Sequence, residues 1–519
     1  MKRKPENGTI GVLSTNITNV HELEGNEMSM LAWLEQHGGK TYGNFIGGKW
    51  TASAGGKTVP VYHSARRGQV LGYFPDSTEE DVNRAVEAAH AAFQTWSRVP
   101  APERSAVLLK FADLLERDRE ELAYRLSAEQ GKTLSEALGE VSRAAKETRF
   151  CAGEALRMDG DTLPGERDRV MNQTIRCPIG VVAAIAPWNF PVVTPVRKIS
   201  PALAYGCTVV FKPASATPWA TVKLMELYAE AGVPDGVVNL VIGSGSKVGD
   251  PLVKHPLVRG ISFTGSTTQG LRIQRLAAER LVRTQLELGG KNPAVVLDFD
   301  DLAFAAKQIV SAAFACSGQR CTAISRVVVL KKHAEALKEE LLKEMAKVKV
   351  GPAWDPEANM GPLINQAQLD VVLEYIRIGK EEGARLLTGG EVLTDGEYAN
   401  GCYLTPALFD RVTPDMRIAR EEIFGPVLSV IEVEDKESAL QVANGVQYGL
   451  ASAVFADRLS DAVEFAERLQ SGMVHVNHGT ASAVHVPFGG VKMSGFGPYS
   501  IGRSNKEFFT EMKALYFQY

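Results

Sequence analysis

The spacing of apolar residues changes twice along the chain, and these changes separate three regions. From residue 77 to residue 154, apolar residues recur every three or four positions, which predicts a run of amphipathic helices. From residue 179 to residue 297, short runs rich in valine and isoleucine alternate with helical segments. A second alternation follows between residues 327 and 476. This pattern predicts an α/β protein.

Valine-rich runs that are separated by helices are typical of a parallel sheet covered on both faces. In the first alternating region, they predict a Rossmann-like cofactor domain. In the second region, a strand at 327–330 is followed by a helix at 334–347. The strand candidates of the first region are residues 181–186, 208–211, 237–242, 260–263 and 293–297.

Short polar motifs mark where helices are expected to begin. Ser77 with Glu80, and Thr133 with Glu136, match the capping box, in which a hydroxyl and a carboxylate three residues apart satisfy the first backbone N–H groups. Thr217 is expected to cap a further helix, because a proline follows it in the first turn.

Three segments lie outside these patterns. Residues 1–40 are polar and lack the apolar stretch of a secretory signal, so we expect a loosely held N-terminal extension. Residues 157–178 contain a glycine- and proline-rich turn and predict a hairpin. Residues 515–519 form a short β-type segment that can pair with a neighbouring subunit.

Length and composition exclude several classes of protein. A chain of 519 residues can bury several cores, so two or three domains are expected. The net charge of −4 gives no reason to expect a nucleic-acid partner. No apolar run reaches the roughly 18 residues that a membrane span requires. The six cysteines lack paired metal-ligand spacing, so we expect no metal site and free thiols in a reducing cytoplasm.

Two motifs contain a candidate nucleophile and a candidate general base. The segment FACSGQRC ends at Cys321, and the segment QLELGGKN contains Glu287. A thiolate can attack a carbonyl carbon, and a carboxylate can activate the water that releases the acyl group. Each motif alone is weak evidence, because loop cysteines are usually inert apolar residues and lone glutamates are usually solvated.

Further motifs carry groups that suit an oxyanion or a dinucleotide. PWNFP at 187–191 offers the side-chain amide of Asn189, and Lys212 in FKPAS can meet a ribose hydroxyl or a phosphate. FTGS at 263–266 permits a close backbone approach through its glycine. EEIFGP at 421–426 places a carboxylate beside a proline turn. Taken singly, each motif is equally well explained as an ordinary strand end or turn.

Together with PFGGVK at 487–492, and in this order and spacing, these motifs resemble those of the aldehyde dehydrogenase superfamily over about residues 40–519. The resemblance implies a Rossmann-like cofactor domain, an αβα catalytic domain and a small β oligomerisation extension, assembled as a homodimer or homotetramer. The implied division is an extension at 1–40, a cofactor domain at 41–156 and 179–288, a catalytic domain at 289–490, and an oligomerisation extension at 157–178 and 505–519.

The resemblance also implies roles for the candidate catalytic residues. Cys321 matches the nucleophile, which attacks the aldehyde to give a thiohemiacetal whose oxyanion is held by Asn189 and the Cys321 backbone N–H. Oxidation with NAD or NADP then leaves a thioester. Glu287 matches the base that activates water to hydrolyse this thioester.

Other residues match the family's cofactor contacts, among them Lys212 at the adenosine ribose and Glu422 at the nicotinamide ribose. Strict NAD users commonly carry a glutamate at the position of Ser215. A carboxylate would repel a 2′-phosphate whereas a hydroxyl can accept one, so this sequence allows NADP as well as NAD. The full set of implied cofactor residues is Trp188, Lys212, Ser215, Gly245, Gly249, Phe263, Gly265, Ser266, Leu288, Glu422 and Phe424.

The expected substrate is a small polar or acidic aldehyde. Arg197 and Ser482 match residues that the succinate-semialdehyde branch uses against the distal carboxylate, although Arg197 could equally pack or pair at a helix start. Ala315 stands where that branch usually has another arginine, so 2-oxoglutarate semialdehyde, lactaldehyde and sulfonated short aldehydes remain candidates.

Two other functions stay open at this point. A CoA-acylating semialdehyde dehydrogenase would pass the acyl group to CoA, but members of that branch typically lack the base that Glu287 represents. The fold could also serve as a non-catalytic structural or binding protein, although Cys321, Glu287 and Asn189 are all intact.

Overall fold

The computed structural model describes residues 29–519, which fold into α/β units around two large sheets and confirm the predicted α/β class. Within these residues no helix is both long and apolar enough to cross a membrane. The α-helices are Met30–His37, Glu79–Trp96, Ala101–Arg117, Arg119–Gln130, Leu134–Glu154, Val193–Ala204, Trp219–Ala231, Asp250–Lys254, Thr267–Ala278, Leu302–Phe314, Lys331–Met345, Gln366–Glu381, Arg417–Arg420, Lys436–Asn444, Leu459–Arg468 and Asn505–Phe509.

The first sheet has eight strands, of which the five central ones are parallel. One of the five, Arg283–Glu287, was not among the sequence candidates. The order of the eight strands across the first sheet is Gly495–Phe496, Arg283–Glu287, Val258–Thr264, Val181–Ile185, Thr208–Lys212, Val238–Leu240, Asn44–Ile46 and Lys49–Thr51.

Helices cover both faces of this first sheet, as the valine-rich runs predicted. Val182 and Val209 belong to the apolar cluster on one face, whereas their neighbours Val181 and Val210 belong to the cluster on the other face. All four side chains are almost completely buried. Successive strand residues point to opposite faces, so burial of both sets requires apolar residues at every position.

The second sheet has seven strands, and six of them are parallel. The candidate strand at 293–297 lies here, as Asn292–Val296, and not in the first sheet where the sequence pattern had grouped it. The order in space is Arg385–Thr388, Ala407–Asp410, Val427–Val433, Ile324–Leu330, Asn292–Val296, Ala451–Phe455 and Met473–Val476.

Four small sheets complete the fold. In one of them, strand Thr510–Gln518 pairs antiparallel with Val170–Pro178 along nine residue pairs, so the segment expected to meet a neighbouring subunit pairs within its own chain. The short strand Thr162–Leu163 completes this sheet, which we call the tail sheet. The other small sheets comprise Lys40–Thr41, Thr58–His63 and Arg66–Pro75; Val392–Leu393 and Tyr403–Leu404; and Tyr448–Gly449 and Val491–Lys492.

Part of the expected N-terminal extension lies among the described residues. Residues 30–37 form a helix in which Met30, Trp33 and Leu34 are buried. The indole of Trp33 lies 5.7 Å from that of Trp219. Because its apolar face packs against the first α/β unit, this helix is part of the fold.

The predicted helix caps had mixed outcomes. The capping box of Thr133 and Glu136 is present. The box predicted at Ser77 and Glu80 is wrong by one position, because Thr78 and Asp81 form it instead.

The predicted Thr217 cap is also wrong. The first N–H groups of helix Trp219–Ala231 donate to the carboxylate of Glu129, at 2.8 Å from Trp219 and 3.0 Å from Ala220. Burial raises the pKa of Glu129 to about 8. A side chain from a distant helix therefore does the work that a local hydroxyl was expected to do.

Candidate active site

A cavity of about 600 Å³ lies between the two large sheets and contains most of the residues that the sequence singled out. Cys321 and Asn189 line it together with residues of the implied cofactor set. One compartment therefore holds the candidate nucleophile, the candidate oxyanion donor and groups suited to a dinucleotide. From the predicted site, the lining includes Trp188, Asn189, Arg197, Gly265, Ser266, Leu288, Cys321, Glu422, Phe424 and Ser482.

The loop that carries Cys321 has an unusual backbone. Helix Leu302–Phe314 ends before it, and then Cys316, Ser317 and Gly318 all have positive φ angles of 52°, 58° and 68°. Such angles are costly for residues other than glycine and persist only where the surroundings impose them.

Contacts from other elements impose this loop conformation. The carboxylate of Glu136 accepts the backbone N–H of Cys316 at 2.6 Å, and the Ser317 hydroxyl donates to the Gly361 carbonyl at 2.7 Å. The side-chain amide of Asn292 donates to the Cys321 carbonyl at 2.8 Å. The loop of the candidate nucleophile is thus fixed by long-range hydrogen bonds.

Asn189 follows strand Val181–Ile185, at the carboxyl end of the first sheet. Its side-chain amide donates to the Gln319 carbonyl at 2.9 Å, and its own carbonyl accepts from the ammonium of Lys132 at 3.0 Å. Lys132 also pairs with Glu140, and both side chains are buried. These contacts hold Asn189 against the Cys321 loop, with one amide N–H left for an oxyanion.

Glu287 ends strand Arg283–Glu287 and is only 4% exposed. The hydroxyl of Ser500 donates to its carboxylate at 3.0 Å. Burial raises the pKa of Glu287 above its usual range, and the charges of Arg197 and Lys198 oppose that rise. A carboxyl group whose pKa is shifted toward neutrality is suited to take a proton from water near pH 7.

The surroundings of the Cys321 thiol disfavour the thiolate. Burial raises its pKa to about 12, and the nearby carboxylate of Glu287 acts in the same direction, whereas Arg197 and Arg320 oppose it. The thiol becomes a nucleophile when it loses its proton, so a base that accepts that proton must act during the attack.

Two aromatic residues that line the cavity come from different sheets: Trp188 follows strand Val181–Ile185 of the first, and Phe424 precedes strand Val427–Val433 of the second. The rings of Trp188 and Phe424 meet edge to face at 5.3 Å. The carboxylate of Glu422 accepts the Gly290 N–H at 3.1 Å, and burial raises its pKa to about 7. A Cβ atom on Gly289 would lie 2.1 Å from this carboxylate, so only glycine fits beneath it.

Further along the first sheet lie the remaining residues of the implied cofactor set. Burial lowers the pKa of Lys212 to about 8, and its ammonium donates to the carbonyl of Pro213. Ser215 is exposed, and its hydroxyl donates to the Gly243 carbonyl at 3.1 Å. Gly245 and Gly249 bound a single π-helical turn, and a Cβ on Gly245 would meet no atom within 4 Å.

The FTGS motif and Leu288 complete this side. Ser266 caps helix Thr267–Ala278 through the N–H of Gln269. A Cβ on Gly265 would lie 2.5 Å from the ring of Phe263, which explains the glycine. Leu288 is buried and lines the cavity beside them.

The predicted substrate residues, Arg197 and Ser482, both line the cavity and are linked through Glu147 and Arg143. Arg197 forks onto the carboxylate of Glu147, with contacts of 2.9 and 3.1 Å, and lies over the ring of Phe488 at 4.8 Å. Ser482 accepts from Arg143 through both its carbonyl and its hydroxyl. The pairing considered for Arg197 is therefore present, and the residue also lines the cavity.

Sequence reasoning missed three groups that the fold brings here: Arg143, Glu147 and Ser500. Arg143 and Glu147 stand one helical turn apart in Leu134–Glu154, where their i,i+4 spacing was the available signal. Ser500 lies in a polar loop whose sequence carries no signal for contact with Glu287.

Comparison with known proteins agrees with this geometry. The model described as "Aldehyde dehydrogenase family" matches residues 50–515. The alpha-ketoglutaric semialdehyde dehydrogenase of Bacillus subtilis (strain 168) is 43% identical over 477 residues, which are 92% of this chain and 98% of that protein.

Two solved structures are similar throughout. The NAD-dependent aldehyde dehydrogenase from Sinorhizobium meliloti has a TM-score of 0.90 and 36% identity, and covers 92% of this chain and 95% of its own. The E. coli NADP-dependent enzyme has a TM-score of 0.90 and 35% identity, and the match covers 93% of this chain and 99% of that enzyme. The expected fold and enzyme class are thereby confirmed, and the chain belongs to the aldehyde dehydrogenase family.

Proposed function

We propose that this protein oxidises a small acidic aldehyde, a semialdehyde, to its carboxylate with NAD⁺ or NADP⁺. The observation that carries the proposal is that Cys321 and Asn189 line one cavity. Glu422 and Phe424, which match cofactor contacts, and Arg197, which matches a substrate contact, line the same cavity. Both reactants can therefore meet at one thiol.

The residues at the centre divide the covalent chemistry among them. The thiolate of Cys321 attacks the aldehyde carbon and forms a thiohemiacetal, whose oxyanion the Asn189 amide and the Cys321 N–H can hold. One such donor is typically worth about 10²–10³ in rate. Loss of a hydride from that carbon converts the thiohemiacetal to a thioester.

The residues along the first sheet fit a dinucleotide cofactor, which supplies the hydride acceptor when bound. Among residues 29–519, the ammonium of Lys212 donates to one group, the Pro213 carbonyl, so further N–H donors remain. Glu422 is a suitable acceptor for ribose hydroxyls, and Gly245 leaves open space for a close approach. Exposed Ser215 places no charge against a 2′-phosphate, which supports use of NADP⁺ as well as NAD⁺.

Release of the product depends on Glu287. Its carboxylate, held by Ser500, can take a proton from the water that attacks the thioester, and the carbon–sulfur bond then breaks to free Cys321 and the carboxylic acid. Presence of this base favours hydrolysis over transfer to CoA.

The proposal of an acidic substrate rests on Arg197, which lines the cavity. Arg197 is only 14% exposed, so a carboxylate reaching it would meet a largely desolvated guanidinium, which strengthens the interaction. The Bacillus subtilis relative is named for an acidic semialdehyde, which supports the same class here.

A cofactor-reduction assay with a panel of acidic and uncharged aldehydes, both cofactors and optional CoA tests the proposal. We expect turnover without CoA and a higher kcat/KM for acidic semialdehydes. Arg197→Met should raise KM for the acidic aldehydes and hardly change it for propanal. If Arg197→Met lowers kcat/KM equally for both types of aldehyde, Arg197 is a structural residue and the proposal of an acidic substrate is wrong.

We also infer a homodimer or homotetramer in the cytoplasm. The tail sheet leaves one edge of Thr510–Gln518 unpaired, and Met512, Tyr516 and Phe517 on it are exposed, which is typical of a surface that a second copy covers. All six cysteines are free thiols, as a reducing compartment favours. Light scattering of the intact protein and of Tyr516→Glu tests the assembly, and a monomeric wild type would contradict it.

A further inference from the structure

Three charged side chains form a cluster, and two of them, Arg143 and Arg197, line the cavity. Arg143 donates through Nε to the carboxylate of Glu147 at 2.7 Å, and Arg197 donates to the same carboxylate through Nε and Nη2. The side chain of Glu147 is 3% exposed, whereas those of Arg143 and Arg197 are 25% and 14% exposed. Two guanidinium groups thus share one buried carboxylate, and the cluster keeps a net charge of one positive unit.

The two arginines differ in which N–H groups they have left. Both terminal nitrogens of Arg143 donate to Ser482, Nη1 to its carbonyl and Nη2 to its hydroxyl. For Nη1 of Arg197, residues 29–519 provide no hydrogen-bond partner. Arg197 therefore presents one wholly unengaged nitrogen to a carboxylate in the cavity, whereas every nitrogen of Arg143 already donates once.

The charge balance of the cluster depends on Arg143. Without it, Arg197 and Glu147 would form a neutral pair, and a neutral pair attracts a distant anion weakly. With it, the negative charge of Glu147 is already offset. Glu136 and Glu140 on the same helix also line the cavity; Glu140 pairs with buried Lys132, and Glu136 accepts the backbone N–H groups of Thr133 and Cys316.

We propose that Arg143 is a positioning residue that sets the preference for acidic aldehydes by offsetting Glu147, so that Arg197 offers an uncompensated positive charge to the acid group. This inference rests on the proposed oxidation of acidic semialdehydes and adds a residue that need not touch the substrate. Arg143 also ties the loop at Ser482 to helix Leu134–Glu154, and the test must separate these two actions.

The experiment compares kcat/KM for succinate semialdehyde with that for butanal, which has the same number of carbons and no charge. Arg143→Met should lower the ratio about tenfold or more, through KM, because one charge near a partly buried pair is lost. The double variant with Glu147→Gln has a net charge of one positive unit again, so its ratio of kcat/KM values should return most of the way to that of the wild type. Arg143→Lys keeps the charge but not the forked guanidinium, and its ratio should stay close to that of the wild type.

A matched control lies on the same helix. Arg149 pairs with Asp113 and Glu116 at the surface, so Arg149→Met should leave the ratio unchanged. Thermal unfolding of each variant shows that it is folded before the ratio is compared.

The outcomes separate this inference from the proposed function. A wild type without preference for the acid removes the proposed substrate class and this inference together. A wild-type preference that survives Arg143→Met overturns the inference alone. Two further results also overturn the charge-offset mechanism: Glu147→Gln fails to restore the preference that Arg143→Met loses, or Arg143→Lys loses as much preference as Arg143→Met. Either result shows that Arg143 acts only by holding the Ser482 loop in place.

Discussion

The two large sheets meet the cavity with opposite ends of their strands. In the first sheet, Asn189 follows the carboxyl end of Val181–Ile185, and Glu287 is the last residue of its own strand. In the second sheet, Cys321 lies three residues before Ile324–Leu330, and Phe424 lies three residues before Val427–Val433. The site therefore joins the carboxyl edge of one sheet to the amino edge of the other.

The two edges hold their functional groups by different means. On the first edge, the ladder of backbone hydrogen bonds continues to the end, where Thr264 pairs with Glu287. On the second edge, the strained turn at Cys316 and Ser317 is held by side chains from elsewhere. We infer that the first edge tolerates the loss of a single hydrogen bond better than the second edge, because many backbone hydrogen bonds together set the register of the first edge.

The largest effect is expected on the second edge. Cys321→Ala should reduce oxidation about 10⁴-fold or more, as loss of a catalytic nucleophile does, while cofactor binding persists. Cys316 is not expected to replace it, because Cys316 is 5% exposed whereas Cys321 is half-buried and is the more accessible thiol. Steady-state rates and cofactor titration measure the two properties, and preferential labelling of Cys316 by a thiol reagent would contradict the assignment.

The next effect concerns the first edge. Glu287→Gln should lower steady turnover by about 10²–10⁴, because an amide cannot accept a proton from water. Stopped-flow should show a burst of reduced cofactor followed by little turnover. Since burial raises the pKa of Glu287, wild-type kcat should rise with pH above the usual glutamate range, as the carboxylate forms. Persistence of that rise in the Gln variant would assign it to another group.

Ser215 tests the same edge at a greater distance from the thiol. Ser215→Glu should lower kcat/KM for NADP⁺ roughly 10²-fold, because a carboxylate would face the 2′-phosphate, and should hardly change it for NAD⁺. In the wild type, NADP⁺ should work at least comparably with NAD⁺. A wild-type preference for NAD⁺ of about a hundredfold would contradict this assignment.

Asn292 sharpens the comparison most directly, although its expected effect is the smallest. Asn292→Ala removes the amide that donates to Cys321 and Ala323, both at 2.8 Å, so kcat should fall about tenfold and the free energy of unfolding by about 1–3 kcal/mol. Asn444→Ala is the control, since Asn444 also bonds the backbone, at Arg468 and Gln470. If both variants lose stability and neither loses kcat, the Asn292 contact does not position the nucleophile.

Local chemistry explains what the sequence could predict. Runs such as Val181–Ile185 are apolar at every position because both faces are covered, and the capping box of Thr133 and Glu136 uses residues three apart. The rule that ligands meet the carboxyl ends of parallel strands then places Asn189 correctly at the cavity.

Long-range contacts explain what it could not predict. The Thr217 cap was wrong because Glu129, some ninety residues earlier, supplies the acceptor. Arg143 was overlooked because its partner Ser482 is 339 residues away. No periodicity of the chain encodes the strained turn before Cys321, since its shape comes from the groups around it.

The first sheet and the tail sheet are both completed by strands that are synthesised long after their partner strands. Gly495–Phe496 pairs with the strand that bears Glu287, Ser500 bonds Glu287 across 213 residues, and Thr510–Gln518 pairs with Val170–Pro178. While residues 495–518 are still in the ribosome, Arg283–Glu287 is an open strand edge and the hairpin lacks its partner, which invites pairing with other chains. The emergence of these residues should therefore close the Arg283–Glu287 edge, give the hairpin its partner and complete the hydrogen bond from Ser500 to Glu287.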